Sequence, residues 1–311
     1  MDTGCLEAPA VRKTRPETPG YPEWRVCRVL RERTGIRLMA HQLSGIPGIC
    51  HEACLHFGYR RTEQYLHALE AGLHTPELDF LVSALTVGES YFFRDTAQME
   101  LLRSRLLPEM IEAGLSTGRR VLTVWSAGCS AGQEIYSVAI LLRELLGADH
   151  GWDIRLLATD INPAALKAAR LGVYRKWSFR STPPAMVSRY FVPRPDGFVL
   201  DSRIRDSVRL ARLNLVDDVY PSPFNRTCGL NLILCRNVLM YLEPDKAAEA
   251  LSRLAACLAP GGLLLTGPSD GGSARIGDLV RIEEGDTAYY RKPGGAHRPC
   301  AVYPGRSARH G

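Results

Sequence analysis

The chain has 311 residues, 45% of them hydrophobic and 23% charged, with a formal net charge of +6. That is ordinary globular composition, long enough for a large core and for one main domain with an accessory. No apolar run reaches the roughly 18 residues that span a bilayer, and the N-terminus lacks the apolar core of a signal peptide, so a cytoplasmic protein without membrane insertion is expected.

Four basic residues (Lys292, Arg298, Arg306, Arg309) and no acid lie between Lys292 and the last residue. Much of the positive excess is therefore a tail, and no nucleic-acid partner is expected. Nine cysteines are scattered without the density of a disulfide scaffold. Cys129, Cys235 and Cys257 sit in apolar surroundings and read as reduced core residues.

Residues 1–20 are rich in Pro, Thr and charge and read as a disordered tail. Residues 21–90 read as a helical N-terminal domain and linker, since Trp24, Val26, Cys27, Val29 and Leu30, then Tyr65, Leu66 and Leu69, then Leu78, Leu81, Val82 and Leu85, recur at helical spacing. Pro47 and neighbouring glycines are expected to damage the helix between these groups. Cys50, His51, Cys54 and His56 lie close together there, but they fit no standard zinc spacing and no metal is expected.

From about residue 96 the rhythm becomes strand alternating with helix. A helix over 96–114 precedes strand Val121–Trp125, and a loop of small residues leads into helix Gln133–Leu146. Strand Ile154–Thr159 ends at Asp160, and helix Pro163–Leu171 follows with its proline in the first turn. The stretch 172–205 is polar and turn-rich, with Asp196-Gly197 as a good hairpin turn. Strands Ser207–Leu213 and Leu230–Cys235, helix Pro244–Leu258 and strand Leu263–Thr266 complete an α/β domain over 91–292, and 293–311 reads as a basic disordered tail. Such alternation implies a parallel sheet covered on both faces, with the site outside the carboxyl ends of its strands. Gly128, Glu134, Asp160, Asn214, Arg236 and Asn237 all fall at those ends.

From Ser126 to Gly132 no side chain is larger than that of Cys129, which allows close approach to the backbone. A triphosphate would want a Walker lysine, which is absent; a dinucleotide would want GxGxxG, whereas Gly128 and Gly132 are spaced GxxxG and Glu134 would repel pyrophosphate. S-adenosylmethionine carries a sulfonium and an ammonium and no phosphate. Glu134 could pair with the ammonium and Asp160 could accept both ribose hydroxyls; alternatively, Glu134 complements the helix dipole and Asp160 caps the next helix.

Longer motifs carry a family resemblance. Thr86-Val-Gly-Glu-Ser-Tyr-Phe-Phe-Arg-Asp95 resembles N-E-T-x-F-F-R, which opens the catalytic region of the CheR-type chemotaxis receptor methyltransferases. Trp125–Ser137 resembles that family's W-S-A-x-C-S-x-G-E-E-x-Y-S, Ala158–Asn162 its A-T-D-I-D, Asn214-Leu215 its N-L, and Cys235–Tyr241 its C-R-N-V-x-I-Y. The resemblance implies a Rossmann-like class I S-adenosylmethionine-dependent methyltransferase domain behind a small all-helical N-terminal domain, with a short antiparallel β insert. It implies transfer of a methyl group from S-adenosylmethionine to glutamate side chains of chemoreceptor-like proteins, by a monomeric enzyme. Position by position, it implies that Ser90, Arg94, Ala127, Gly128, Glu134, Asp160, Asn214, Leu215, Asn237 and Val238 line the cofactor site, with Arg94 and Tyr241 facing methyl donor and acceptor. Phe92 and Phe93 read as packing residues.

The chain departs from the pattern at Gly88 (for Asn), Ser90 (for Thr), Gln133 (for Glu), Asn231 (for Asp), and Pro268 and Asp270 (for His and Glu). In relatives an arginine-rich N-terminal helix is thought to face acidic receptor helices, but here no arginine appears between Leu43 and His56. Two further readings therefore stand beside the first: a methyltransferase for another protein or a small molecule, and a cofactor-binding regulatory module without turnover.

Overall fold

The structure is a computed structural model that describes residues 21–72, 75–86, 88–148, 151–270 and 275–294. The two expected terminal tails lie outside the described residues, apart from 293 and 294.

Among the described residues, ten strands form two sheets. They are β1 (Val121–Ala127), β2 (Asp153–Asp160), β3 (Val173–Tyr174), β4 (Phe191–Arg194), β5 (Gly197–Leu200), β6 (Val208–Arg212), β7 (Leu230–Cys235), β8 (Leu258–Thr266), β9 (Val280–Glu284) and β10 (Thr287–Arg291). The larger sheet runs β6-β2-β1-β7-β8-β10-β9 and the smaller β3-β5-β4. In the larger one β6, β2, β1, β7 and β8 are parallel, and β10 and β9 add an antiparallel edge. The chain leaves β1 toward β2 and returns on its other side at β7, so the order reverses at β1/β7 and opens a crevice there.

Helices Gln133–Leu146 and Pro163–Leu171 begin and end at the expected residues. Apolar strand residues serve both faces. Leu122, Val124, Leu232 and Leu263 pack with helix Gln133–Leu146 on one side. Trp125, Ile233 and Leu264 pack with helix Pro244–Cys257 on the other. The Trp125 ring nitrogen donates to Thr159 Oγ1 at 2.9 Å, which fixes β1 against β2. Asn231 accepts from both the amide and the hydroxyl of Thr123, at 2.9 and 2.8 Å, so the amide does the structural work of an aspartate there.

Three expectations need correction. Pro47 sits in the first turn of a 12-residue helix, Ile46–Phe57, where its missing N–H costs nothing; it starts that helix and does not break it. Strand β8 begins at Leu258 and runs through Pro260-Gly261-Gly262, which bulge out between the pairs Leu230↔Leu258 and Leu232↔Leu263. In the insert, Arg194 pairs with Gly197, so Pro195-Asp196 is the hairpin loop and Gly197 already belongs to β5.

The N-terminal helices form their own apolar cluster, including Val26, Leu30, Ile46, Tyr65, Leu69 and Leu81. Cys50 and Cys54 are buried in it as free thiols, and no group of three metal-ligating side chains occurs among the described residues. This helical region also docks on the α/β core through main chain: Arg37 N–H donates to the Tyr241 carbonyl at 2.8 Å, and Glu243 N–H to the Gly35 carbonyl at 2.8 Å. Asn214 Nδ2 donates to the Arg33 carbonyl at 3.1 Å. No helix among the described residues is long and apolar enough to cross a membrane.

Candidate active site

The crevice at the carboxyl ends of β1, β2, β6 and β7 is a pocket closed on one side by the helical region, where Thr34, Ile36, Gln42 and Leu85 contribute to its wall. Of the residues expected at the site, Ser90, Arg94, Gly128, Glu134, Asp160, Asn214, Leu215, Asn237, Val238 and Tyr241 line it. Ala127 does not. It is fully buried in the core at the end of β1, facing away from the pocket among Trp125 and Ile233.

The small residues of the loop after β1 serve the protein's own packing first. Gly128 has φ +82°, and a Cβ there would lie 2.4 Å from Val238 Cγ2. Gly132 has φ +87°, and a Cβ there would lie 2.5 Å from the Tyr136 ring. The loop can therefore turn sharply and let the 236–241 segment close over it, which no larger side chain would allow. Ser130 also has positive φ, and its hydroxyl donates to the Gly88 carbonyl at 3.1 Å. A side chain at Gly88 would have room, with its nearest neighbour 3.9 Å away.

Asp160 ends β2 and accepts from Ser130 N–H at 2.7 Å through one oxygen and from Asn162 N–H at 2.8 Å through the other. Burial pushes its carboxyl above the usual range, and these amide donors pull against that shift. It does not cap the following helix. Asn162 does, accepting from Ala164 and Ala165 at 2.8 and 3.1 Å. The carboxylate is thus oriented by main-chain amides and retains acceptor capacity where it lines the pocket.

Glu134 is held more tightly than its sequence position implies. Ser126 Oγ donates to one oxygen at 2.7 Å and Arg236 Nη1 to the other at 3.2 Å. Burial raises its carboxyl pKa despite Arg236 and Ser126, which favour the ionised form. Arg236 has a side chain only 2% exposed, and its second amino group donates to the Arg94 carbonyl at 2.6 Å. It thus joins the C-R-N segment, the Glu134 helix and the F-F-R-D segment. Sequence reading placed Arg236 at a strand end but assigned it no role; the available signal was a guanidinium directly after the apolar run of β7, where burial demands an acid partner.

Asp270 also proves structural. Its carboxylate accepts from the main chain of Asn237, from Val238 at 3.0 Å, from Met240 at 3.2 Å and from Gly267 at 3.0 Å. It therefore fixes the loop that carries Asn237, Val238 and Tyr241, where Asn237 has positive φ. The Asn214 amide is spent on Arg33 and on Asp217 Oδ1, at 3.1 and 3.0 Å, so its side chain shapes the pocket wall.

Arg94 lies at the mouth, half-buried, with Nη1 donating to the Glu89 carbonyl at 3.0 Å and no carboxylate partner among the described residues. Phe92 and Phe93 are buried, and Phe92 stacks on Phe179 at 5.4 Å, which anchors the segment that presents Arg94. No histidine lines the pocket among the described residues.

A family model described as CheR methyltransferase, SAM binding domain, matches residues 88–279. The chain is 33% identical over 213 residues to the chemotaxis protein methyltransferase of Listeria monocytogenes, covering 66% of this chain and 76% of that one. It is 30% identical over 245 residues to chemotaxis protein methyltransferase 2 of Vibrio cholerae, covering 78% and 80%. With the Escherichia coli chemotaxis protein methyltransferase it shares 30% identity over 253 residues, covering 79% and 82%. The sheet order, the glycine loop and this match define a class I methyltransferase that uses S-adenosylmethionine. The chain belongs to the CheR methyltransferase family.

Proposed function

We propose that this chain esterifies glutamate side chains of a chemoreceptor-like protein, with the pocket at β1/β7 as the seat of S-adenosylmethionine. The supporting observation is the combination at one crevice of a half-buried, amide-held acid, Asp160, and an arginine, Arg94, with no carboxylate partner among the described residues. S-adenosylmethionine supplies an electrophilic methyl group on a cationic sulfur.

In this reading Asp160 accepts the two ribose hydroxyls through its remaining lone pairs. Glu134, already ionically paired with Arg236, gives the cationic end a negative wall. Leu215 and Val238 supply apolar surface, and Ser90 a hydroxyl, along the same wall. A glutamate acceptor has a pKa near about 4.3 and is ionised at neutral pH, so no general base is needed. That suits a pocket whose described lining holds no histidine. Arg94 grips the acceptor carboxylate through two parallel N–H groups and holds it in line with the transferable methyl, while Tyr241, which lines the same pocket, offers a hydroxyl. Such positioning supplies up to roughly 7–11 kcal/mol of the barrier.

Of the features that favoured a module without turnover, Gly88, Pro268 and the N-terminal helix, two weigh less in the structure: a side chain at Gly88 would have room, and Pro47 opens a helix. The direct test is incubation with radiolabelled S-adenosylmethionine and a membrane fraction of the source organism. Label released as methanol by alkali supports a carboxyl methyl ester; base-stable label, or none, overturns the reading.

A further inference from the structure

Beside Arg94 the surface carries a cation held between two aromatic rings. The Arg180 guanidinium carbon lies 3.3 Å from the ring centroid of Tyr91 and 3.3 Å from that of Trp177. Those centroids are 6.2 Å apart, so the guanidinium sits between the rings. The Arg94 guanidinium approaches the same Tyr91 ring at 5.7 Å. The turn carrying Trp177 is joined to the Arg94 segment by Phe92 N–H donating to the Ser178 carbonyl at 2.9 Å. The two rings meet at 74°, so the guanidinium is lodged in the corner between them, and its only hydrogen bond among the described residues is from Nη1 to the Trp177 carbonyl at 3.3 Å.

The rest of the turn is also cationic. Arg175, Lys176 and Arg180 are exposed, no acid interrupts residues 175–180, and none of the three pairs with a carboxylate among the described residues. Trp177 is 48% exposed. Cations with no carboxylate partner among the described residues, one of them held between two aromatic rings, mark a surface prepared for an external anion. Helix Ile46–Phe57, by contrast, bears no lysine or arginine.

We propose that Arg175, Lys176 and Arg180, with Tyr91 and Trp177, dock an acidic stretch of the acceptor protein next to the carboxylate that Arg94 receives. The inference rests on the protein-carboxyl reading above and adds where, and by what chemistry, the acceptor is chosen. Arg180 supplies a fixed two-pronged contact and Arg175 and Lys176 supply long-range attraction, so acceptor selection is an ionic-strength-dependent effect centred on this turn.

The test uses the full chain saturated with S-adenosylhomocysteine and a fluorescein-labelled helical peptide with glutamates at every third or fourth position. Its glutamine version and single-stranded oligo-dT serve as competitors. The glutamate peptide should bind, weaken with salt, and lose about tenfold or more in affinity on Lys176→Glu with Arg180→Glu. Arg180→Lys, which keeps the charge but not the planar fork lodged between the rings, should lose an intermediate amount, and calorimetric affinity for S-adenosylmethionine should stay unchanged in both. No binding by the wild type, equal binding of the glutamine peptide, preference for oligo-dT, or unchanged affinity in the charge-reversed variant would each overturn the inference. If methyl ester forms on lysate protein with an unchanged KM in that variant, the docking assignment alone fails; if no ester forms with the wild type, the underlying reading fails.

Discussion

Replacing Arg236 by methionine probes the pair that ties three motifs together. The arginine side chain is 2% exposed and the Glu134 side chain 12%. The substitution leaves Glu134 with Ser126 as its remaining hydrogen-bond partner among the described residues, and frees the Arg94 carbonyl, which Arg236 holds at 2.6 Å. Removing one member of a buried ion pair costs about 3–5 kcal/mol at neutral pH. At about 2–4 °C per kcal/mol for a domain of this size, Tm should fall by about 6–20 °C. Glu134 has an escape, since burial already raises its carboxyl pKa and a lost partner raises it further. A raised folded pKa stabilises most below the unfolded carboxylate range, and that contribution is lost as pH rises through the folded value. The Tm deficit of the variant should therefore shrink on acidification. Substituting both residues by methionine removes both charges and should recover at least half of the loss, because apolar replacement of a buried pair is close to neutral. Differential scanning calorimetry across pH checks each part. A single-variant shift under about 2 °C, or a double variant no better than the single, would refute the assignment of a coupled buried pair.

Asp160→Ala should weaken S-adenosylmethionine binding by about a hundredfold or more by calorimetry, since two charge-assisted hydrogen bonds are lost; unchanged affinity would remove the ribose assignment. Arg94→Ala should cut kcat/KM for methyl transfer far more than cofactor affinity, and equal losses would make Arg94 a cofactor ligand. Gly128→Ala forces a Cβ to within 2.4 Å of Val238 at φ +82°, so it should lower both Tm and cofactor affinity, with Val238→Ala on top relieving part of the loss by the clash but none due to φ. Because the cationic cofactor favours ionised Glu134, whose carboxyl pKa is raised by burial, the Tm increase caused by S-adenosylmethionine should grow as pH rises above the ordinary carboxylate range; a flat response would detach Glu134 from the cationic end.

The local and the long-range parts of this protein were unequally legible. Helix Pro163–Leu171 was readable because its cap Asn162, its first-turn proline and its closing Gly172 are neighbours in sequence. The β9–β10 hairpin was readable too, though it was not read: Val280-Arg-Ile-Glu-Glu alternates, and Gly285-Asp286 makes the turn. Pro47 misled because a proline that begins a helix and one that breaks it look alike when the helix start has no other signal; Gly45, at the cap position, forms no side-chain cap. The site's wiring was not legible at all. Glu134 and Arg236 lie 102 positions apart, and only the β1/β7 switch brings them together. Likewise Asp270 looked like a departure until its carboxylate was found under the amides of the Asn237 loop.

The strip where Gly35–Arg37 exchanges main-chain hydrogen bonds with Tyr241–Glu243 makes the helical front end a component of the catalytic seat. A chimaera that swaps in a foreign front end to redirect the enzyme would have to reproduce that backbone seam, or the tyrosine would lose its footing. On the proposed reading, retargeting and turnover are thus mechanically coupled, and a change near residue 36 would be transmitted through the Arg37–Tyr241 hydrogen bond to the pocket wall.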